Sequence, residues 1–168
     1  MMAYSIRLAT STDGAKMCDL MHRSFSIYTS PPSSALLETA SSIQVDLLAG
    51  EKAVLLFTDE LELVGMVRFV EKKSSIHFHR FCVEPSVQGK GLGGKLLNWL
   101  EGYAELKKIT VLRCKVRTHA VDNVHFYKKN GFTEDLDWLP EKTHSTEVLP
   151  FYKSVLIKEQ KKTHIPSY

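Results

Sequence analysis

Phe81-Cys82-Val83-Glu84-Pro85-Ser86-Val87-Gln88-Gly89-Lys90-Gly91-Leu92-Gly93-Gly94-Lys95 joins an apolar run to a helical pattern through one proline and four glycines. The run reads as a strand that Pro85 stops, because proline brings no N–H to a sheet ladder. Leu92, Leu96, Leu97, Leu100, Tyr103 and Ala104 then recur at helical spacing. The first N–H groups of that helix have no intrahelical acceptor and carry the positive end of its dipole. Glycine lets a phosphate approach such a backbone with no Cβ in the way. The segment therefore predicts a site for a phosphorylated cofactor.

Three cofactor classes use this kind of site. Gly89-x-x-x-x-Gly94-Lys95 follows the P-loop spacing, but that loop needs a Ser or Thr after the lysine to hold Mg²⁺, and here Leu96 follows. Gly89-x-Gly91-x-x-Gly94 follows the dinucleotide spacing, which places its glycines tight against the strand end and an acid about 20 residues on. Here five residues separate Val83 from Gly89, and the next strand carries Arg113, Lys115 and Arg117. That basic run suits a 2′-phosphate, so an NADP site stays open, although no second βαβ unit follows. The third class is acyl-CoA.

More than the glycines supports that third class. Tyr4-Ser5-Ile6-Arg7-Leu8-Ala9, Val64-Gly65-Met66-Val67, Phe81-x-Val83 with Pro85, Gln88-x-x-Gly91-x-Gly93, and Asn123-Val124-His125-Phe126-Tyr127-Lys128-Lys129-Asn130-Gly131-Phe132 stand in this order. In order and spacing they resemble the motifs of the GNAT superfamily of N-acetyltransferases over nearly the whole chain, with Gln88 where the family often has Arg. The resemblance implies an acyl-CoA N-acyltransferase fold whose strands near 75–83 and 109–116 splay apart to receive the pantetheine arm.

Composition agrees with one globular domain. The chain has 168 residues, 43% hydrophobic and 24% charged, enough for a full core. No apolar run nears the roughly 20 residues of a membrane span, and no basic patch leads into an apolar stretch at the N-terminus. Cys18, Cys82 and Cys114 are odd in number and match no metal motif, which predicts reduced thiols and a cytoplasmic setting. A net charge of +3 is too mild to argue for nucleic acid and mildly favours a polyanionic cofactor.

The pattern predicts a strand at 4–9, then a helix capped by Ser11 or Thr12 with Met17, Leu20, Met21, Phe25 and Tyr28 on its apolar face. Pro31-Pro32-Ser33-Ser34 ends that helix and opens another to about Leu48. Strands are expected at 53–58, 62–70 and 75–83, a helix after the glycines, a strand at 109–116 and a helix at 121–129 closed by Asn130-Gly131. Strands near 132–138 and 147–157 complete the domain at residues 1–157, and the polar tail 158–168 is expected to fray. The order β-α-α-β-β-β-α-β-α-β-β is an α/β fold with one mixed (α+β) sheet.

The resemblance implies roles for individual residues. Gln88, Gly89, Lys90, Gly91, Leu92, Gly93, Gly94 and Lys95 would surround the pyrophosphate of acetyl-CoA, mostly through backbone N–H groups. Phe81, Cys82 and Val83 would present backbone to pantetheine. Tyr127 would protonate the leaving thiolate, since a phenol stays protonated at neutral pH. Asn123, one turn earlier on the same face, would meet the pantetheine arm; the family more often has Asn seven residues before the Tyr, which here is Ala120. A general base is sought on the strand before Phe81. Histone-type relatives carry Glu four residues ahead, where this chain has His77, and His79 shares its face. Glu84 is a further candidate.

The acceptor pocket would use Tyr28, Ser33, Ser34 and Glu38, whose surrounding run Pro31 to Thr39 resembles a stretch of one bacterial GNAT subgroup, together with Phe151 and Tyr152 near the acyl group. Arg68 and Arg80 interrupt apolar strands. They are expected to pair with Glu62, Glu71 or Glu84, with binding of an anionic acceptor as the alternative. The implied reaction is direct transfer in a ternary complex, with no relay through Cys82. The acceptor would be a small primary amine, with a protein or peptide amine, or acyl-CoA binding without turnover, as alternatives. Many members of the family are homodimers.

Overall fold

A computed structural model describes residues 3–137 and 148–155. Seven strands form one sheet in the order β1-β2-β3-β4-β5-β7-β6. They are β1 (Tyr4–Leu8), β2 (Lys52–Thr58), β3 (Leu63–Glu71), β4 (Ser75–Val83), β5 (Val111–Arg117), β6 (Thr133–Glu134) and β7 (Val148–Ser154). Four helices cover it: α1 (Gly14–Phe25), α2 (Ala40–Leu48), α3 (Leu92–Leu106) and α4 (Val121–Lys129). The expected element order and mixed sheet are present. The tail 158–168 and the outer parts of the expected strands, 138, 147 and 156–157, lie outside the described residues.

Alternation along the central strands makes two cores. Val54, Leu56, Val67 and Phe69 face α3 and α4 with Ile76, Phe78, Leu112 and Cys114. Ala53, Leu55, Phe57 and Met66 face α1 and α2 on the other side. Side chains of period two can serve two helical layers only if both faces are apolar. This is why β2 and the first seven residues of β3 are buried almost without a break.

Three local features depart from the sequence expectation. Ser11 and Thr12 lie in a 3₁₀ turn, Ser11–Asp13, capped by Thr10, and Asp13 stands at the cap of α1; the Thr10 N–H donates to the Asp13 carboxylate at 2.7 Å, while Arg7 grips the same carboxylate at 2.8 and 2.9 Å. Helix α1 ends at Phe25, short of Tyr28. The single helix expected to reach Leu48 is a 3₁₀ turn, Ser34–Leu37, then extended Glu38 and Thr39, then α2. The break has a cause: the Glu38 carboxylate lies between Arg68 and Arg80, and Thr39 caps α2 by accepting the Ser42 N–H at 3.1 Å.

All strand pairs are antiparallel except β4 with β5, which are parallel and in register only from Ser75↔Val111 to His77↔Arg113. Beyond that point the strands part. In the same region β4 carries a bulge. Met66 faces Cys82 but Arg68 faces His79, so Arg80 and Phe81 together oppose Val67, and Arg80 takes a left-handed φ of 51°. The extra residue inverts the alternation. Ile76 and Phe78 before it, and Phe81 and Val83 after it, pack on the α3 side, while Cys82 joins the α1 side.

Candidate active site

The parting of β4 and β5 opens two cavities. The first, about 860 Å³, runs between the β4 end, the glycine loop and the start of α4. Phe81, Cys82, Val83, Gln88, Gly89, Gly91, Leu92, Gly93, Gly94, Asn123 and Tyr127, all named above as cofactor contacts, border it. Lys90 and Lys95 do not; both are exposed outside its wall. The side chains of Leu92 and Cys82 are 2% and 6% exposed, so they can offer a ligand little beyond backbone. Gly89 and Gly91 hold φ of 84° and 75°, and Gly91 is the residue that starts α3. An L side chain is strained at these angles, which explains glycine there independently of any ligand. Ser24, Phe25, His119 and Asp122 also line this cavity and were not anticipated. The only local signal for His119 and Asp122 was their place between the end of β5 and α4.

The second cavity, about 760 Å³, lies where β4 and β5 diverge beneath the 3₁₀ turn. His77, His79, Arg80, Ser34, Ser33 and Tyr28 border it. Several expected residues do not. Phe151 is fully buried in the α3-side core, because β7 lies between β5 and β6. Tyr152 lines neither cavity. Glu84 lines neither and is bound to Arg23 of α1 at 2.7 Å, so it is not poised to act as a base here. Glu38 sits behind Arg80, neutralised by two arginines, and does not face the cavity to receive an ammonium.

The arginines do pair, but not with Glu62, Glu71 or Glu84. Arg68, 1% exposed, donates to Glu38 at 2.6 Å, Glu51 at 2.6 Å and Asp46 at 2.9 Å. Arg80 donates to Glu38 at 2.8 Å and to the Ser34 hydroxyl at 3.0 Å. His79 is hydrogen-bonded through Nε2 to the other oxygen of Glu51. Burial alone would raise Glu51 and Glu38. Hydrogen bonds from His79 and Arg68 to Glu51, and from Arg68 and Arg80 to Glu38, outweigh it, and both carboxyls end below their ordinary value of 4.5. His77 meets the Ser75 hydroxyl at 3.0 Å. Burial, with Lys72, Arg113 and Lys115 nearby, lowers its pKa and favours the neutral imidazole.

The two cavities share five wall residues: Phe25, Tyr28, Phe81, Asn123 and Tyr127. Asn123 donates to the Tyr28 hydroxyl at 2.8 Å, which ties α4 to the chain just beyond α1. Tyr127 is 8% exposed, ringed by Phe78, Phe81, Phe126 and Phe132 at 5.3–6.0 Å between centroids. Burial holds its phenol well above the ordinary 10, so it keeps its proton. No hydrogen bond to its hydroxyl is present among the described residues.

A family model described as "Acetyltransferase (GNAT) domain" matches residues 33–146. The chain belongs to the GNAT acetyltransferase family. No curated protein matches it in sequence. Among solved structures, the PaiA N-acetyltransferase of Thermoplasma acidophilum in complex with coenzyme A superposes with a TM-score of 0.76 at 18% identity, covering 90% of this chain and 99% of that one. The ribosomal-protein-S18-alanine N-acetyltransferase of Escherichia coli gives 0.74 at 15%, covering 95% and 98%. A spermidine N-acetyltransferase chimera from Vibrio cholerae and hSSAT gives 0.71 at 17%, covering 90% and 95%. At these identities the likeness establishes the GNAT fold and nothing finer.

GNAT enzymes use acetyl-CoA, and the residues present fit it. Among the described residues the β4 backbone from Phe78 to Val83 has no partner strand on the β5 side. The Val83 carbonyl is met instead by the side chains of Gln88 at 3.2 Å and Ser24 at 3.4 Å. Side-chain donors on a strand edge can yield to an amide arm with no loss in the number of bonds. The helix start at Gly91 and the N–H groups after it suit the diphosphate. Cys82 is a poor relay: burial pushes its thiol up to about 12, so almost none is thiolate at neutral pH. Cys18 and Cys114 are also buried free thiols. No group of three or more metal-ligating side chains exists among the described residues.

Proposed function

We propose that this GNAT protein transfers the acetyl group of acetyl-CoA directly to the amine of a small-molecule acceptor. One observation carries the reading: the cofactor-side and acceptor-side cavities share the wall that holds Tyr127. A second cavity of about 760 Å³ suits a small acceptor.

Bound acetyl-CoA supplies a thioester whose carbonyl carbon the amine attacks, so that a C–N bond forms and the C–S bond breaks. His79 accepts the proton the amine loses. It borders the acceptor cavity, and Glu51, itself fixed by Arg68, orients its ring. Tyr127 gives its hydroxyl proton to the departing sulfur. Its apolar ring of phenylalanines keeps water from competing. His77 lines the same cavity, bonded to the Ser75 hydroxyl, and serves the wall.

The test begins with calorimetric titration of acetyl-CoA, with NADPH and ATP as parallel controls; binding of NADPH or ATP alone would overturn the family chemistry. On an acceptor found by thiol release, Tyr127→Phe should lower kcat by about 10²–10⁴-fold, the usual worth of a positioned acid. Acetyl-CoA affinity and thermal stability should hold, since the hydroxyl bonds to no described residue. An unchanged kcat removes Tyr127 from the chemistry.

A further inference from the structure

The acceptor cavity has a one-sided charge. Lys72, Arg80, Arg113, Lys115 and Arg117 line it with His77 and His79, and no Asp or Glu among the described residues does. The arrangement follows from strand geometry. On β5, Leu112, Cys114 and Val116 enter the core, so Arg113, Lys115 and Arg117 share the opposite face. On β4, the bulge brings Arg80 to the same side as His79 instead of the side of Phe78. The β5 row of Arg113, Lys115 and Arg117, with Lys72 and Arg80 across from it, therefore flanks the gap that opens beyond His77↔Arg113.

Partners only partly cancel this charge. Glu38 is divided between Arg80 and Arg68, which also holds Glu51 and Asp46. Arg113 is bound to Asp135. Among the described residues Arg117 donates to neutral groups, the carbonyls of Pro31 at 2.8 Å and Pro32 at 3.3 Å, and lies over the Tyr28 ring at 5.0 Å. Lys72 makes no ion pair with a described residue. The field is felt within the cavity: after burial, the influences that depress His77 are Lys72, Arg113 and Lys115.

A concave site lined by one sign of charge concentrates ligands of the other sign. A polyamine would bring further ammonium groups against these cations, and like charges held close are costly. We propose that the acceptor is an amine that also bears an oxyanion, a carboxylate or a phosphate. The amine meets His79 and Tyr127, and the oxyanion is held by the β5 cations with Lys72 and Arg80. This rests on the acetyltransferase reading above and names its substrate class.

The test is thiol release at saturating acetyl-CoA over amines matched in all but charge. The probes are β-alanine against propylamine, O-phosphoethanolamine against ethanolamine, and 4-aminobutyrate against putrescine, with spermidine as a longer polyamine. The expected result is kcat/KM at least about tenfold higher for an anionic member than for its match, the effect of one charge-assisted hydrogen bond. The β-alanine and O-phosphoethanolamine arms separate carboxylate from phosphate. Lys72→Glu should then lower the anionic-to-neutral ratio by about threefold or more. The proposal is overturned if neutral amines or polyamines are the better substrates, if Lys72→Glu leaves the ratio unchanged, or if no anionic amine is acetylated by protein that binds acetyl-CoA. Failure to bind acetyl-CoA would instead overturn the acetyltransferase reading itself.

Discussion

Arg68→Met tests the arginine that organises the acceptor side. The guanidinium is 1% exposed and serves three carboxylates. Methionine keeps the length and apolar volume but removes every donor. Asp46, with its side chain 48% exposed, returns to water at little cost. Glu51, 10% exposed, keeps only His79, and Glu38, 19% exposed, keeps only Arg80. Removing one member of a buried pair costs about 3–5 kcal/mol. The surviving partners place this case at the low end, about 3 kcal/mol, or roughly 6–12 °C in Tm for a domain of this size. Urea unfolding followed by circular dichroism at neutral pH measures it, with an unchanged m-value.

The pH dependence gives the sign. In the parent, Glu38 and Glu51 are depressed below 4.5, so their stabilisation is complete above that pH and lost as the pH falls through their folded values. Without Arg68 the burial of Glu51 is poorly offset and its pKa rises. The deficit of the variant should then shrink on acidification. Glu51→Gln should cost stability in the parent and recover some in the Arg68→Met background, a coupling that a double-mutant cycle reads directly. A deficit below about 1 kcal/mol at neutral pH, or one that grows with acid, would refute the reasoning.

Two further outcomes are expected. His79→Gln should lower kcat by about 10²-fold or more at neutral pH with acetyl-CoA binding intact, and His77→Gln should lower it far less; equal losses in steady-state assays would dissolve the distinction between them. Gly91→Ala places an L side chain at φ 75° with open space around its Cβ. Strain should cost about 1–2 kcal/mol in thermal melts, and the methyl on the cofactor cavity wall should weaken acetyl-CoA binding by roughly tenfold in calorimetry. Strain without loss of affinity would mean that the loop does not hold the cofactor.

Local signals made the cofactor side readable. The bounds of β4 and α4, the glycine loop and the Asn130–Gly131 stop all follow from composition within a few residues, and each stands as expected. The acceptor side was less legible because long-range pairing built it. Glu51 sits in the turn before β2, 17 residues from Arg68 and 28 from His79, and nothing nearby marks it as the acid that joins them. Glu38 was expected in the acceptor pocket, yet it reaches 30 residues to Arg68 and 42 to Arg80 behind the cavity wall. Phe151 alternated correctly for a pocket wall, but whether a strand face meets a cavity or a core depends on which strands flank it, and here β6 covers the far side.

The bulge of β4 is the step at which these two halves become one site. In a regular strand, residues 76, 78, 80 and 82 would share a face. Arg80 would then enter the core beside Phe78 and Phe132, a guanidinium without a counter-ion, and Phe81 would turn away from Tyr127. Burying an unpaired charge costs far more than the left-handed backbone at Arg80, which is roughly 1–3 kcal/mol. With the extra residue, Arg80 meets Glu38 and Ser34 on the α1 side, and Phe81 packs 6.0 Å from Tyr127 on the other. One residue out of register thus lets a single strand give Arg80 to one cavity and an aromatic edge, Phe81, to the next, at adjacent positions.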